Sequence, residues 1–426
     1  MSARPLPVPA LSLSEPPIRQ SRPEEEQVEE LIGHLRRRFQ VDPAQIRVVK
    51  SPLRICPLGA HIDHQLGIVT GMTIDQSIFL AFAPVDDGQV RVESVNFANP
   101  VSFRLDGVPP SQPGDWGNYV RGAVLALQQE HEIPRGLAGV IGGEMPIGGL
   151  SSSAAVTIAY LLALEAVNEL ALAPSANVDL ARYTENRYIG LNNGILDQSV
   201  ILHSAHQHLT RIDCQTAEID RVALPAAVNG RRAAGFEVLV AYSGVTHVLV
   251  GTDYNSRVAE CRAAAGQLLE LAHCEPVPDV RLRHVTPAIY QAESHRLPDI
   301  LGRRARHFFG EMDRVTAGVA AWQVGDLRRF GQLMSESGES SIRNYECGSP
   351  QLITLYETLR DAPGVYGTRF SGAGFRGNCI ALIDPAYREQ IAAAVHARYP
   401  AAHPDEAQRY SIHFCQLDGA AQIWTP

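Results

Sequence analysis

The chain has 426 residues, which is too long for one typical domain and fits two lobes of ordinary size. Hydrophobic residues make up 45% and charged residues 19%, so a large core is expected and global disorder is not. The net charge of -9 argues against nucleic-acid binding. Lys50 is the only lysine, and the sequence around it matches neither a P-loop nor the lysine motif of protein kinases.

Residues 1–23 are rich in Pro and Ser and are expected to form a disordered N-terminal tail. Prolines break its only apolar run, so it matches neither a signal peptide nor an anchor. No segment approaches the ~18 to 20 apolar residues of a membrane span. The seven cysteines are scattered without a CxxC pair, which favours a reducing compartment. The sequence therefore predicts a cytoplasmic protein with neither a membrane nor a nucleic-acid partner.

The chain after this tail mixes predicted helices and strands without strict alternation. Helices are predicted over residues 23–39, 118–131, 151–170 and 178–191, and over most of 254–272 and 287–360. Strands are predicted at 46–49, 68–84, 90–103, 138–141, 209–213, 236–243, 379–383 and 411–415, and at Arg369. This mixture predicts an α+β fold with two lobes, over residues 24–215 and 216–426, rather than a doubly wound sheet. Lys50, just before a strand-like run, is expected at the surface.

A Gly- and Pro-punctuated loop at residues 51–67 concentrates polar side chains between two strands. It carries Arg54, His61, Asp63 and His64, which such a loop can present to one small ligand. The last three also suggest a metal site, but no further ligand is spaced to complete it. An ordinary polar turn is the alternative interpretation.

A second segment, MPIGGLSSSAA at residues 145–155, opens the long apolar helix. Its glycines allow a phosphate to approach the backbone, and the first amides of a helix have no internal partner. The alternative is a purely structural role, in which a serine caps the N-terminus of the helix. Because one serine would suffice for a cap, two glycines followed by three serines favour an anion site.

Two further segments carry candidate chemistry. Glu185 lies on a polar helix and Asp197 just past a turn, although acidic residues near helix starts are common for dipole reasons alone. Residues 371–377 match GxGxxG, but a strand-like run follows instead of a helix, so a dinucleotide site is rejected and a glycine loop beside a nucleotide pocket remains. Arg303, Arg304 and Arg306 are expected on a solvated helix face.

Taken in order, these segments resemble the three motifs of GHMP kinases, and of galactokinases in particular. RICPLGAHIDH at residues 54–64 is similar to the galactokinase signature, residues 148–154 to its phosphate loop and residues 371–377 to its GGGFGG motif. NGILDQ at 193–198 and DYNSR at 253–257 are similar to two further blocks of that family. The resemblance implies an ATP-dependent sugar 1-kinase with its active site in the cleft between two lobes.

The same resemblance implies a role for each matching residue. Asp197 is the implied catalytic base, and Arg54 lies beside it and stabilises the charge of the transferring phosphoryl group. Phosphoryl transfer is mostly positioning and charge neutralisation, so a mechanism without lysine suits this chain. The implied Mg²⁺ ligands are Ser153 and Glu185. The implied sugar-site positions are Ala60, His61, Asp63, His64, Gly194 and Tyr254. The implied ATP phosphate contacts are Ile147, Gly148, Gly149, Leu150, Ser151, Ser152 and Ser153.

Two departures from galactokinases predict a different sugar. Ala60 stands where galactokinases carry Glu, and His64 where they carry Tyr. That Glu would repel a C6 carboxylate, so its loss fits a uronic acid. Residues 54–65, 344–347 and 370–377 are also similar to the galacturonokinases. D-Galacturonate is therefore the predicted sugar, with ATP and Mg²⁺.

Two alternatives stay open. One is a galactokinase or another sugar 1-kinase, acting on glucuronate or arabinose. The other is a non-catalytic regulator that senses sugar and ATP, against which the presence of Asp197, Arg54, Ser153 and Glu185 argues. The oligomeric state is left open between monomer and dimer.

Overall fold

The structure is a computed structural model that describes residues 15–146, 148–228, 231–232, 235–245 and 252–426. The helices are α1 (Glu24–Phe39), α2 (Asn118–Leu127), α3 (Ser152–Val167), α4 (Pro174–Tyr183), α5 (Leu196–His203), α6 (Thr252–Leu271), α7 (Pro287–Glu293), α8 (Asp299–Gln323), α9 (Leu327–Ser340), α10 (Pro350–Asp361) and α11 (Arg388–Ala402). The strands are β1 (Arg47–Ile55), β2 (Ile68–Val85), β3 (Gln89–Ser94), β4 (Val101–Arg104), β5 (Gly136–Gly142), β6 (His208–Asp213), β7 (Glu218–Ala223), β8 (Ala227–Val228), β9 (Arg231–Arg232), β10 (Glu237–Tyr242), β11 (Val365–Phe370), β12 (Asn378–Ile383), β13 (Ser411–Cys415) and β14 (Gln422–Trp424).

Two sheets organise the chain. The first has the order β14-β1-β2-β5-β3-β4, and the long strand β2 also pairs with β6, which in turn pairs with β7. The second has the order β11-β12-β10-β13, and β8 pairs with β9 separately. Among the described residues, the pairs formed by these strands are antiparallel except β3 with β5, which are parallel. This mixed α+β architecture with two lobes agrees with the prediction.

The lobe boundary between residues 215 and 216 stays a prediction, and the pairing of the strands favours a later division. Strand β7 lies beyond the predicted boundary yet pairs with β6 in the first sheet, and the C-terminal β14 returns to pair with β1. The boundary between the lobes depends on hydrogen bonds between strands that are far apart in sequence, and these cannot be predicted from composition. We therefore propose that the first lobe runs to Ala223 and also includes β14.

Helix α3 fills the centre of the first lobe. Its Ala- and Leu-rich sequence has no polar face, so it is buried against β1, β2 and the neighbouring helices, as predicted. The same buried cluster continues into the second lobe through Trp322 of α8 and Phe330 of α9. The indole nitrogen of Trp322 also donates to the Val222 carbonyl at 3.0 Å. One buried cluster therefore extends across both lobes.

The expectation of a disordered tail over residues 1–23 is only partly testable, since residues 1–14 lie outside the described residues. For residues 15–23 it is wrong. Ile18 forms a parallel bridge with Ile412, and the amide of Arg19 donates to the Ile412 carbonyl at 2.9 Å. Arg22 pairs with Glu144 at 2.5 Å. This segment is fixed by backbone pairing with β13, a partner nearly 400 residues away that its composition does not reveal.

The predictions that Lys50 and Arg304 are exposed to solvent are also wrong. Lys50 is buried, and its ammonium group pairs with Glu24 and, at 2.8 Å, with Asp418. Arg304 is only 1% exposed and pairs with Glu260 at 2.6 Å and Glu346 at 2.7 Å. Both charges are buried because acidic partners from distant segments compensate them. Within the described ranges, no helix has the length and apolar character needed to cross a membrane.

Candidate active site

Arg54 and Asp197 meet at the junction of β1 and the first turn of α5. The Nε of Arg54 donates to Oδ1 of Asp197 at 2.8 Å, and Nη2 approaches the same oxygen at 2.5 Å. Ser151 Oγ donates to the other carboxylate oxygen at 2.5 Å. Arg54 is 3% exposed, and among the described residues its Nη1 has no hydrogen-bond partner. This buried donor is therefore free to bind a further acceptor.

The phosphate-loop candidate begins at Gly148, because Ile147 lies outside the described residues. Gly148 and Gly149 have φ of 129° and 78°, values that glycine adopts readily. The Leu150 carbonyl accepts from the Arg54 amide at 3.3 Å, which ties the loop to β1. Ser152 is the first residue of α3.

The serine N-cap alternative is wrong. Ser151 precedes α3 but makes no side-chain cap, because its hydroxyl is directed to Asp197 instead. The first amides of α3 are therefore left without a side-chain acceptor at this position, as expected where an anion is to bind.

The glycine loop at residues 371–377 packs directly on the phosphate loop. A Cβ on Gly372 would lie 2.8 Å from the Gly149 Cα, and one on Gly377 would lie 2.7 Å from the Gly148 carbonyl carbon. Asn378 donates its side-chain amide to the Gly148 carbonyl. Strand β12 follows the loop, so rejecting a dinucleotide fingerprint was correct. The second lobe thus supports the phosphate loop through glycine-to-glycine contact.

Glu185 lies in a π-helical turn over Thr184–Ile189 and is 1% exposed. Its Oε2 accepts from Asn193 and Gln198, whereas its Oε1 has no partner among the described residues. Burial, followed by the nearby charge of Asp197, raises the Glu185 pKa to about 7, and a hydrogen bond from Ser153 opposes the shift. Glu185 and Ser153 are therefore adjacent, and their predicted role as metal ligands stays a prediction.

The sugar-loop candidate over residues 59–65 turns sharply away from β1. Gly59 has φ of 84°, and a Cβ there would lie 2.7 Å from the Val69 Cα, so only glycine fits. Asp63 is next to Gly194, where a Cβ would lie 2.5 Å from Oδ2 of Asp63. Burial and then Asp197 raise the pKa of Asp63 to about 6. The Asp63, Gly194 and Asp197 positions are therefore brought together.

His61 and His64 contact an aromatic residue that sequence reasoning missed. The His61 ring stacks on Tyr345 with centroids 4.3 Å apart, and Nε2 of His64 lies 3.2 Å from the Tyr345 hydroxyl. Tyr254, a predicted sugar contact, meets His64 edge-on at 5.8 Å. Tyr345 belongs to the 344–347 block, whose resemblance had been noted without assigning it a role.

His64 is neutral in this environment. The Gln65 amide nitrogen donates to its Nδ1 at 2.8 Å, so the proton lies on Nε2, which faces Tyr345. Burial, followed by the charge of Arg281, lowers the pKa of His64 to about 3. In the ligand-free structure His64 is therefore a neutral hydrogen-bonding residue.

Ala60 is 4% exposed, and its carbonyl accepts from His307 of α8 at 2.9 Å. Gly59 donates its amide to Glu311, four residues further along α8, at 2.7 Å. Neither α8 residue was singled out from the sequence. The spacing of four residues between a His and a Glu in an otherwise apolar stretch was the available signal.

Comparisons with known proteins agree with this geometry. The N-terminal and C-terminal domain models of the GHMP kinases match residues 118–205 and 319–401. The chain is 43% identical to a galacturonokinase of Arabidopsis thaliana over 409 residues, covering 90% of this chain and 94% of that protein. It is 32% identical to a galactokinase of Roseiflexus sp. (strain RS-1), covering 92% and 97%.

Solved structures give the same result. The galactokinase of Lactococcus lactis complexed with galactose superposes with a TM-score of 0.83 at 27% identity, covering 93% of this chain and 99% of that one. A mevalonate kinase, at 16% identity and a TM-score of 0.57, shares the fold and covers 87% and 98%. From its two matched domains and its full-length relatives, the chain belongs to the GHMP kinase family.

Proposed function

We propose that this chain is a sugar 1-kinase that transfers the γ-phosphoryl group of ATP to the anomeric hydroxyl of D-galacturonate, giving D-galacturonate 1-phosphate and ADP. The observation that carries the proposal is the Arg54–Asp197 pair, which contacts the phosphate loop through Ser151 and lies beside the sugar loop at Asp63. The 43% identity to a galacturonokinase supports the choice of sugar.

In the proposed mechanism, Asp197 accepts the proton of the anomeric hydroxyl as its oxygen attacks the γ-phosphorus of ATP. The bond from the γ-phosphorus to the bridging oxygen breaks, and ADP leaves. The unpaired Nη1 of Arg54 is available to an oxygen of the transferring group. The amides of residues 148–153 bind the ATP phosphates, and His61, Asp63, Gly194 and Tyr254 contact the sugar.

Mg²⁺ fits the residues that are present. The unpartnered Oε1 of Glu185 and the hydroxyl of Ser153 are hard oxygen donors, which Mg²⁺ prefers. The part of the chain that the structure describes has no cluster of three or more His, Cys, Asp or Glu, and Mg²⁺ bound with nucleotide needs only one or two carboxylates. When bound, the ion would neutralise charge on the ATP phosphates.

A galactokinase is the second candidate, favoured by the Roseiflexus and Lactococcus relatives. A coupled assay of ADP release with galacturonate, glucuronate, galactose and arabinose separates the candidates. Galacturonate should give the highest kcat/KM, and a preference for galactose would contradict the proposed sugar. A non-catalytic regulator would release no sugar-dependent ADP. We also propose a cytoplasmic location, because the seven cysteines are all free thiols.

Replacing Glu185 by Gln should raise the Mg²⁺ concentration needed for half-maximal activity by about tenfold, since the buried carboxylate is lost. In EDTA at pH 8 the same variant should melt at a higher temperature than the wild type. The pKa of Glu185 is raised to about 7 in the folded chain, so folding buries a charge above that pH. This stability gain should disappear below the ordinary carboxyl pKa, where both states are protonated.

Calorimetric melting and Mg²⁺ titration of turnover measure the two effects. Glu169→Gln, in an exposed turn of the same lobe, is the matched control. An unchanged Mg²⁺ requirement in the Glu185 variant would remove this residue from the proposed metal site.

A further inference from the structure

Helix α8 holds the backbone of the sugar loop through two buried side chains. The His307 ring nitrogen Nε2 lies 2.9 Å from the Ala60 carbonyl, and Gly59 donates its amide to Glu311 Oε2 at 2.7 Å. The two side chains are four residues apart and so share one helix face. His307 is 1% exposed and Glu311 is fully buried.

The hydrogen bonds around His307 have a fixed direction. A carbonyl oxygen only accepts, so the proton of the neutral ring lies on Nε2 and points to Ala60. Nδ1 must then accept from the Ser340 hydroxyl, 2.9 Å away, and that hydroxyl accepts from the Asn344 amide at 3.1 Å. Burial above all lowers the pKa of His307 to about 4, so the ring stays neutral near pH 7. The Ala60 carbonyl therefore selects the tautomer, and Ser340 holds the ring in place through Nδ1.

Glu311 anchors the other end of the contact. Its carboxylate also accepts from Ser337 Oγ at 2.9 Å and from the Arg314 Nε at 2.7 Å. Burial alone would raise the Glu311 pKa, but the charges of Arg314 and Arg369 outweigh it and hold the pKa below its usual value. The Gly59 amide is thus bound to a fixed anion.

The residue that these contacts constrain is His61. Its φ of 63° is left-handed, a conformation that a side chain with Cβ disfavours. The Ala60 carbonyl belongs to the peptide that links Ala60 to His61, so a hydrogen bond to this oxygen fixes the peptide plane and with it φ of His61. An unusual backbone conformation at a functional site persists only where its surroundings impose it.

We propose that His307 is a positioning residue for sugar binding: its bond to the Ala60 carbonyl, together with that of Glu311 to Gly59, holds His61 in the left-handed conformation that directs its ring to the sugar. This inference rests on the proposed function, in which His61 contacts the sugar. It extends that function to the second lobe, whose helix α8 determines the shape of a loop in the first.

Two substitutions of His307 separate positioning from packing. A Gln amide nitrogen reaches about as far as His Nε2 and can still donate to Ala60, whereas an Asn amide reaches only as far as Nδ1. His307→Asn should raise the sugar KM about tenfold, the usual worth of one buried hydrogen bond, with kcat within threefold and the ATP KM unchanged. His307→Gln should recover most of the sugar affinity. Asp313→Asn, exposed on the same helix, is the control.

Equal effects of Asn and Gln, or parallel rises in the sugar and ATP KM, would overturn the proposal, because a purely structural residue gives that result. If His307→Asn does not fold, Ser340→Ala keeps the imidazole and removes the hydrogen bond at Nδ1 that orients its ring toward Ala60. It should raise the sugar KM about threefold, and no change would equally overturn the proposal. A wild type that prefers another sugar refutes only the proposed substrate, since the same variants are then compared on that sugar.

Discussion

Asp197→Asn should fold normally, bind ATP and lose about a thousandfold in kcat, because an amide cannot accept the proton of the sugar hydroxyl. The surroundings tolerate the change. The Asn oxygen can keep both contacts from Arg54, and the Ser151 hydroxyl can accept from the new amide instead of donating to the carboxylate. The loss should therefore lie in turnover rather than in the fold.

The measurements are kcat by coupled ADP release, ATP affinity by titration calorimetry and thermal unfolding. Asp179→Asn, exposed on α4, is the matched control and should behave as wild type in all three. Turnover close to that of the wild type in the Asp197 variant would remove this residue from the mechanism.

Local features of this site were predictable from the sequence because they depend on near neighbours. The apolar length of α3, the glycines that precede it and the strand after the 371–377 loop all follow from residue order. The pairing of Arg54 with Asp197 spans 143 residues, and only the family resemblance brought the two together. Composition and periodicity alone would have left them as an isolated arginine and an ordinary helix-start acid.

The errors share one cause. Arg304 was expected in solvent because it sits in a run of arginines, yet Glu260 and Glu346 from distant segments allow it to be buried. Lys50 is buried for the same reason. The spacing of His307 and Glu311 places them on one helix face, but it does not show that their partners are backbone atoms of a remote loop. For these polar residues, burial and binding partners follow only from the tertiary contacts.

Ala60 is the position where a single charge should decide the sugar. Asp63 and Asp197 already place two carboxyl groups at this site, and burial together with Asp197 raises the Asp63 pKa to about 6. His64 is neutral in the ligand-free structure, since burial lowers its pKa to about 3. A further carboxylate at residue 60 would therefore add a third negative group to this site and repel a C6 carboxylate.

Ala60→Glu should lower kcat/KM for galacturonate about 100-fold, equivalent to about 3 kcal/mol of lost transition-state binding, with the ATP KM changed less than threefold. Residue 60 is buried, so a larger side chain also costs packing whatever its charge. Ala60→Gln has the same length without the charge and isolates that packing cost. Kinetics of the three proteins on galacturonate and galactose then separate size from charge.

The charge effect is the ratio between the Glu and Gln variants, and it should appear with galacturonate and vanish with galactose, which carries no carboxylate. Galactose turnover by Ala60→Glu should fall no further than that of Ala60→Gln. Equal losses in both variants on galacturonate would mean that residue 60 acts by volume alone. A Glu variant that keeps the wild-type preference for galacturonate would place the C6 carboxylate away from Ala60, and recognition of the uronate would then have to be sought elsewhere around His61 and Tyr345.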